Sequence, residues 1–264
     1  MKMTKFYLGL IGVLLLAAGC NLDSDTVVVP DVEDEFYLEL AEDFENGNRS
    51  LNWKLRTIES VGCEDAGIDY TFHWQEGQTL VLSINQVLTS SDCDPADEPA
   101  RALVEIGTLS NGFYPVSIAL RETLEREGTL RVSDSFFQIE IESGGGVLPL
   151  RERLFRMPEH TLWGYIDHQG IDSLSNAAAD FYAELEQITE RQVLTDGHYG
   201  FFESRNNGDE IFFPEIAASA STTLAFQRTL TADRKTAVIE LINTYRETYE
   251  ELRLVIGNTY GEAW

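Results

Sequence analysis

Two hydrophobic rhythms divide this chain. From about residue 36 to 150, apolar side chains recur at every second position. Tyr70, Phe72 and Trp74 alternate with Asp69, Thr71 and His73, and after Glu76-Gly77 come Leu80, Leu82 and Ile84. Tyr114, Val116, Ile118 and Leu120 repeat the pattern, as do Leu130 with Val132 and Phe137 with Ile139 and Ile141. A period of two gives each strand one apolar and one polar face. Asn46-Gly47, Asn111-Gly112 and Glu127-Gly128 read as turns between strands. The expectation for 36–150 is an antiparallel β-sandwich.

Gly144-Gly145-Gly146, followed by Pro149 and Pro158, predicts a break, with a domain boundary near 150–158. In 158–264 the period lengthens. Ile171, Leu174, Ala178, Phe181, Leu185 and Ile188 recur at three and four, the stripe of an amphipathic helix. A second helix is expected over about 232–250, capped by Thr231, with Val238, Ile242, Tyr245 and Tyr249 as its apolar stripe. Strand-like runs at 161–166, 198–203, 210–213, 222–228 and 252–257 surround the helices, and Asn206-Asn207-Gly208-Asp209 reads as a hairpin turn. The order β-α-β-(β)-β-α-β predicts a ferredoxin-like α+β sandwich with an extra hairpin strand. The fold class is therefore α+β in two domains. Residues 107–118 also resemble the opening of a strand in bacterial immunoglobulin-like domains, which implies an Ig-like sandwich in the first domain and no activity.

The first twenty residues carry Lys2 and Lys5, an apolar run over 6–16, and then Ala17-Ala18-Gly19-Cys20. The run is too short to span a bilayer, which takes about 20 apolar residues, and has the length of an export signal. Leu16-Ala17-Ala18-Gly19-Cys20 resembles the lipobox of bacterial lipoproteins, although the third position before the cysteine is Ala17, where leucine is commonest. The resemblance implies cleavage of the signal peptide 1–19 and lipidation, palmitate included, of Cys20. Asn21 after the cysteine implies the outer membrane rather than the inner one. Acyl chains together would hold the protein stably on a membrane. Residues 20–35 then form a lipidated, acidic tether.

A formal charge of −26, from 45 acids against 19 bases, argues against a nucleic-acid partner, whose phosphates need a cationic face. Ample apolar content, 43%, argues against a disordered acidic chain. Of the three cysteines, Cys20 is assigned to lipid, which leaves Cys63 and Cys93 as a disulfide pair in an exported chain. Such a loop is worth roughly 3–4 kcal/mol in the chain-entropy account.

Catalytic signatures are missing: there is no Gly-x-Ser-x-Gly, His-Glu-x-x-His, phosphate-cradling loop or dinucleotide fingerprint. No cofactor is expected. His73 falls on the polar face of its strand. Asp167-His168 and Asp196-Gly197-His198 place an acid near an imidazole, which makes His168 and His198 the candidates for a general base. Asp92, Asp94, Asp97 and Glu98 crowd one loop beside Cys93 and are the candidate calcium ligands, though without EF-hand spacing. Trp74 is expected in the sandwich core and Trp163 beneath the second domain's helices, while Trp264 either docks back or meets a partner. The first reading is a non-catalytic, lipid-anchored binding or interaction module of the cell envelope, meeting a protein or polysaccharide. The alternatives are an envelope hydrolase and a calcium-dependent module.

Overall fold

A computed structural model describes residues 34–45, 47–90, 93–121, 123–214, 216 and 222–264. The signal peptide, Cys20, most of the tether and Asp92 lie outside the described residues. The protein is mostly β, with two α-helices among the described residues.

The first ten strands are β1 (Asp34–Glu45), β2 (Asn48–Thr57), β3 (Gly67–Gln75), β4 (Thr79–Leu88), β5 (Arg101–Gly107), β6 (Gly112–Leu120), β7 (Leu124–Val132), β8 (Phe136–Ile141), β9 (Gly146–Pro149) and β10 (Arg153–Phe155). They join in one sheet of order β10-β8-β7-β6-β4-β3-β5-β2-β1-β9. Most pairs are antiparallel, whereas β1–β9, β4–β6 and the single β3–β5 pair are parallel.

Laid flat, ten strands would be roughly 43 Å wide at about 4.8 Å per strand. Only residues 150–152 separate β9 from β10, which form the two edges, so the sheet must curl until its edges approach. Backbone hydrogen bonds fix the closure: Leu150 N–H donates to Leu38 O (2.8 Å) and Ile139 N–H to Glu152 O (2.8 Å). The glycine run thus carries the chain back into the sheet along β1. Inside the curl lies one buried cluster containing Phe36, Leu38, Trp53, Leu82, Ile118, Leu130, Ile139 and Leu154, drawn from strands at both edges and between them. Cys63 is buried against this cluster and bonded to Cys93, tying the segment after β2 to the segment before β5.

The second half builds β11 (Thr161–Asp167), α1 (Asp172–Ile188), β12 (Glu190–Arg191), β13 (Gly197–His198), β14 (Glu203–Arg205), β15 (Glu210–Phe212), β16 (Thr223–Thr229), α2 (Lys235–Thr248) and β17 (Arg253–Asn258). Four strands pair antiparallel in the order β12-β16-β11-β17, and β13-β14-β15 form a small separate sheet. Alternation along β11, β16 and β17 sorts the side chains into two faces. Leu162, Ile166, Phe226 and Ile256 meet Leu174, Phe181, Leu185, Val238 and Ile242 of the helices. Trp163, Tyr165, Ala225 and Val255 face the other way, toward Tyr199, Phe202 and Phe213, joined by Phe44 from the end of β1 and by Met157. Arg228 of β16 donates to the Thr189 carbonyl (3.2 Å), serving the C-terminus of α1, whose last turn lacks a basic residue. The segment Val32–Trp264 is one compact unit.

Several expectations are corrected. Trp163 lies on the face away from the helices, its ring tilted against that of Phe201 at 4.7 Å, because odd positions of β11 point there. Trp74 is 38% exposed, since β3 meets β5 only at Gly67 and its far end has no covering strand. The dipeptide Glu127-Gly128 is no turn. Gly128 sits inside β7, where a Cβ would lie 2.4 Å from Glu140 O, so the glycine permits close strand approach. The second helix begins at Lys235, after a turn in which Arg234 N–H donates to Thr231 O (3.0 Å). The run 198–203 is split between β13 and β14. Trp264 docks back: its N–H donates to Ile256 O (2.8 Å) and its ring packs on the helix-side cluster. His73 is exposed.

Gly164 tests the packing of the four-stranded sheet, because a Cβ there would lie 2.3 Å from Val255 O, whereas one at Gly67 would meet nothing within 4 Å. Gly164→Ala should cost about 1–3 kcal/mol in urea unfolding, the usual penalty for overpacking. Gly67→Ala should be neutral or stabilising by up to about 1 kcal/mol. Equal effects at the two sites would refute this packing.

Candidate functional site: a cationic cavity on the outer face of the large sheet

The residues of β1, β2 and β5 that point away from the core form two cross-strand rows. Register places Tyr37, Arg56 and Arg101 in one, and Glu39, Lys54 and Leu103 in the next. Leu150 and Arg151, between β9 and β10, rise along one side of these rows, and His198, Gly200 and Pro214 of the small-sheet layer complete the wall. The cavity is open to solvent and has a volume of about 700 Å³.

His198 is brought there by a tight passage of the chain. Gly197 has φ +147° and lies so close to the Phe155 ring that a Cβ would come within 2.3 Å of it. Only glycine fits, and the next side chain is thereby turned, 7% exposed, toward β1. His198 Nε2 sits 3.4 Å from Glu39 Oε1, and Arg151 Nη1 reaches the same oxygen at 3.2 Å. The His198 imidazole, aided by the charges of Lys54 and Arg151, holds the Glu39 carboxyl below its usual value against the opposing cost of burial.

The remaining cations are less occupied. The Arg56 guanidinium lies over the Tyr37 ring at 4.9 Å, and Arg101 pairs at the exposed rim with Glu98 at 3.4 Å. Neither Lys54 nor Arg56 has a described carboxylate within ion-pair distance. Among the described residues, four full cations and one carboxylate therefore line this cavity, in a chain whose acids outnumber its bases 45 to 19. The cavity has the opposite sign to the whole protein.

Of the residues singled out from sequence, His198 is the one that lines this cavity. Its acid is Glu39, not Asp196, whose Oδ1 instead accepts the Asn207 N–H (2.7 Å). His168 follows β11, half-buried, and Asp167 Oδ1 accepts the Gln169 N–H (2.8 Å), so that acid–imidazole pair does not form. Glu98 is engaged by Arg101, and among the described residues no three metal-ligating side chains converge, Asp94 and Asp97 included. No described helix is long and apolar enough to cross a membrane. Sequence reasoning missed Glu39, Lys54, Arg56, Arg101 and Arg151. Their alternation with Leu38, Leu40 and Leu55 was a signal for the outward face, but nothing showed which strands would lie side by side.

A carboxyl held low in the folded chain contributes stability that is fully present above its unfolded value near 4.5 and lost as the pH falls through the folded value. Urea unfolding from about pH 6 to about pH 3 should show a shallower acid-side decline in Glu39→Gln than in the parent. An unchanged slope would contradict the pairing with His198. No protein-family model, no curated protein and no solved structure matches this chain.

Proposed function

We propose that this protein is a lipid-anchored binding module of the cell envelope, on the outer membrane, with the cavity over β1, β2 and β5 as its ligand seat. One observation carries the reading: side chains from β1, β2, β5, the segment after β9 and the small-sheet layer converge on one concave site whose charge opposes that of the protein. Preformed concave sites with a few convergent polar groups are the usual seats of ligands. The ligand is either free or part of an envelope protein or polysaccharide. The N-terminal resemblance to lipoproteins supports the anchor.

Two finer architectural readings belong with this proposal. The order β12-β16-β11-β17, all antiparallel with both helices on one face, supports a ferredoxin-like layer. The immunoglobulin-like reading of the large sheet has less behind it, because three of its pairings are parallel.

The pairing of His198 with Glu39 favours a second reading, a hydrolase in which His198 is the general base. Among the described residues no serine, threonine or cysteine lines the cavity, and water is then the nucleophile. Under that reading His198→Gln abolishes turnover of an envelope substrate while leaving its binding in place.

Two measurements test the first reading. Cys20→Ala should abolish incorporation of labelled palmitate and release the protein from membranes; retained label would sink the anchor. A photoreactive benzoylphenylalanine in place of Leu103, 47% exposed on the cavity wall, should yield a discrete mass adduct in intact cells. The same group in place of Leu88, equally exposed at 48% but outside the cavity, should not. Equal yields, or none at position 103, would overturn the ligand seat.

A further inference from the structure

The cavity is two-toned. Tyr37, Leu103, Leu150 and Pro214 supply apolar surface, while Lys54, Arg56, Arg101 and Arg151 supply positive charge. The charge is not spread evenly. Arg151 and His198 are both committed to Glu39, and Arg101 to Glu98. That leaves Lys54 and Arg56, two positions apart on β2 and so on the same face, roughly 7 Å from each other.

Arg56 is also pre-oriented. Its Cζ lies over the Tyr37 ring, 4.9 Å from the centroid, and that cation–π attraction favours this placement of the guanidinium. A guanidinium with no carboxylate partner among the described residues is suited to two-point hydrogen bonding with a ligand carboxylate. Lys54, beside it, adds a compact charge with three donors. Lys54 is one of only two lysines beyond residue 5, the other being Lys235. Glu39 stands across from Lys54 and feels its charge, but its close contacts are with Arg151 and His198, and it forms no ion pair with Lys54 or Arg56.

Resting on the reading of this cavity as a ligand seat, we infer that it takes a small amphiphilic carboxylate, its head group held by Arg56 and Lys54 and its apolar body laid against Leu103, Leu150 and Pro214. A volume of about 700 Å³ falls within the range of small-molecule sites and accommodates such a body. The surrounding negative charge repels anions at long range, so the local cations act at contact and select by charge at the seat itself.

The probes are decanoate, decanol and decylammonium, which share one apolar chain and differ in head-group charge, each titrated calorimetrically below its aggregation concentration. Decanoate should bind at least tenfold more tightly than decanol, and decylammonium should give no heat. Arg56→Gln and Lys54→Gln should each weaken decanoate about tenfold or more, the usual scale for losing a charged hydrogen bond. Both side chains are solvent-facing, so the variants should fold, and unchanged unfolding curves would verify it. Arg131→Gln, which removes a guanidinium lying between the Phe113 and Phe136 rings outside the cavity, should leave decanoate affinity unchanged.

Equal affinity for decanol and decanoate would overturn the charge selection while leaving a ligand seat. Decanoate binding that survives both glutamine substitutions would overturn the assigned head-group site. Failure of all three probes, with an adduct still formed at position 103 in cells, would overturn the carboxylate inference alone. Failure of all three with no adduct would overturn the ligand seat as well.

Discussion

Strand β1 is shared by two of the molecule's three cores, and the contact that lets it serve both is the burial of Glu42 between Arg49 and Arg156. Both guanidiniums lie 3.5 Å from Glu42 Oε1, and Oε2 accepts the Met157 N–H at 3.0 Å. Upstream of Glu42, Phe36, Leu38 and Leu40 fill the curled sheet; downstream, Phe44 enters the cluster beneath the small sheet. The carboxylate thus stands where the two cores meet, gripping the segment that leads from one to the other. Such a group is expensive to bury unless it is paired. Burial pushes the Glu42 carboxyl above its usual value despite the N–H and the two arginines. Its contribution to folding is therefore greatest below about pH 4.5 and diminishes as the pH rises through the elevated value. Apolar packing around Phe44, not the ion triad, must supply the net stability of the joint, and the triad supplies its geometry.

The cavity depends on that geometry. Glu39 stands on the large sheet, Arg151 on the short segment that closes it, and His198 on the layer beyond Phe44. Their distances of 3.2 and 3.4 Å hold only while the joint holds. Acids elsewhere keep the surface hydrated, while some of the few bases stand at Glu42, at the end of α1 as Arg228, and in the cavity. In a chain this poor in bases, four in one concavity is a concentration that solubility does not require.

Periodicity made much of this fold legible. The shift from a period of two to one of three and four separates the strand-rich region from the helices, and the buried positions of α1 match the predicted stripe at Leu174, Ala178, Phe181 and Leu185. The pairing of Cys63 with Cys93 was legible by elimination. What periodicity does not carry is which face meets which layer. Trp163 alternates as predicted but serves the face opposite the helices, because the sheet has apolar residues on both sides and a third layer to cover the second. Gly128 looks like a turn to any local reading, and its reason, a close approach to Glu140, exists only once β7 and β8 are paired. The site was the least legible part. His198 was visible as a candidate base, but its partner Glu39 arrives from the first strand through closure of the sheet, a contact with no local signature.

The outward rows of the cavity nonetheless owe their placement to the inward ones. On β2, Leu51, Trp53 and Leu55 are buried, while Lys54 and Arg56 alternate with them on the outside. On β1, Leu38 and Leu40 flank Glu39 in the same manner. A one-residue slip of either strand would drive a charged side chain into the core and bring a leucine to the cavity. Each such inversion would bury an unpaired charge, a cost well beyond what the exposed pairs of the cavity could return. The apolar core therefore specifies the site: packing chooses the register, and the register sets Lys54 beside Arg56 and Glu39 across from Lys54. The rows need contribute nothing to folding in order to be accurately placed. That freedom lets them carry charge of the sign that the rest of the protein avoids.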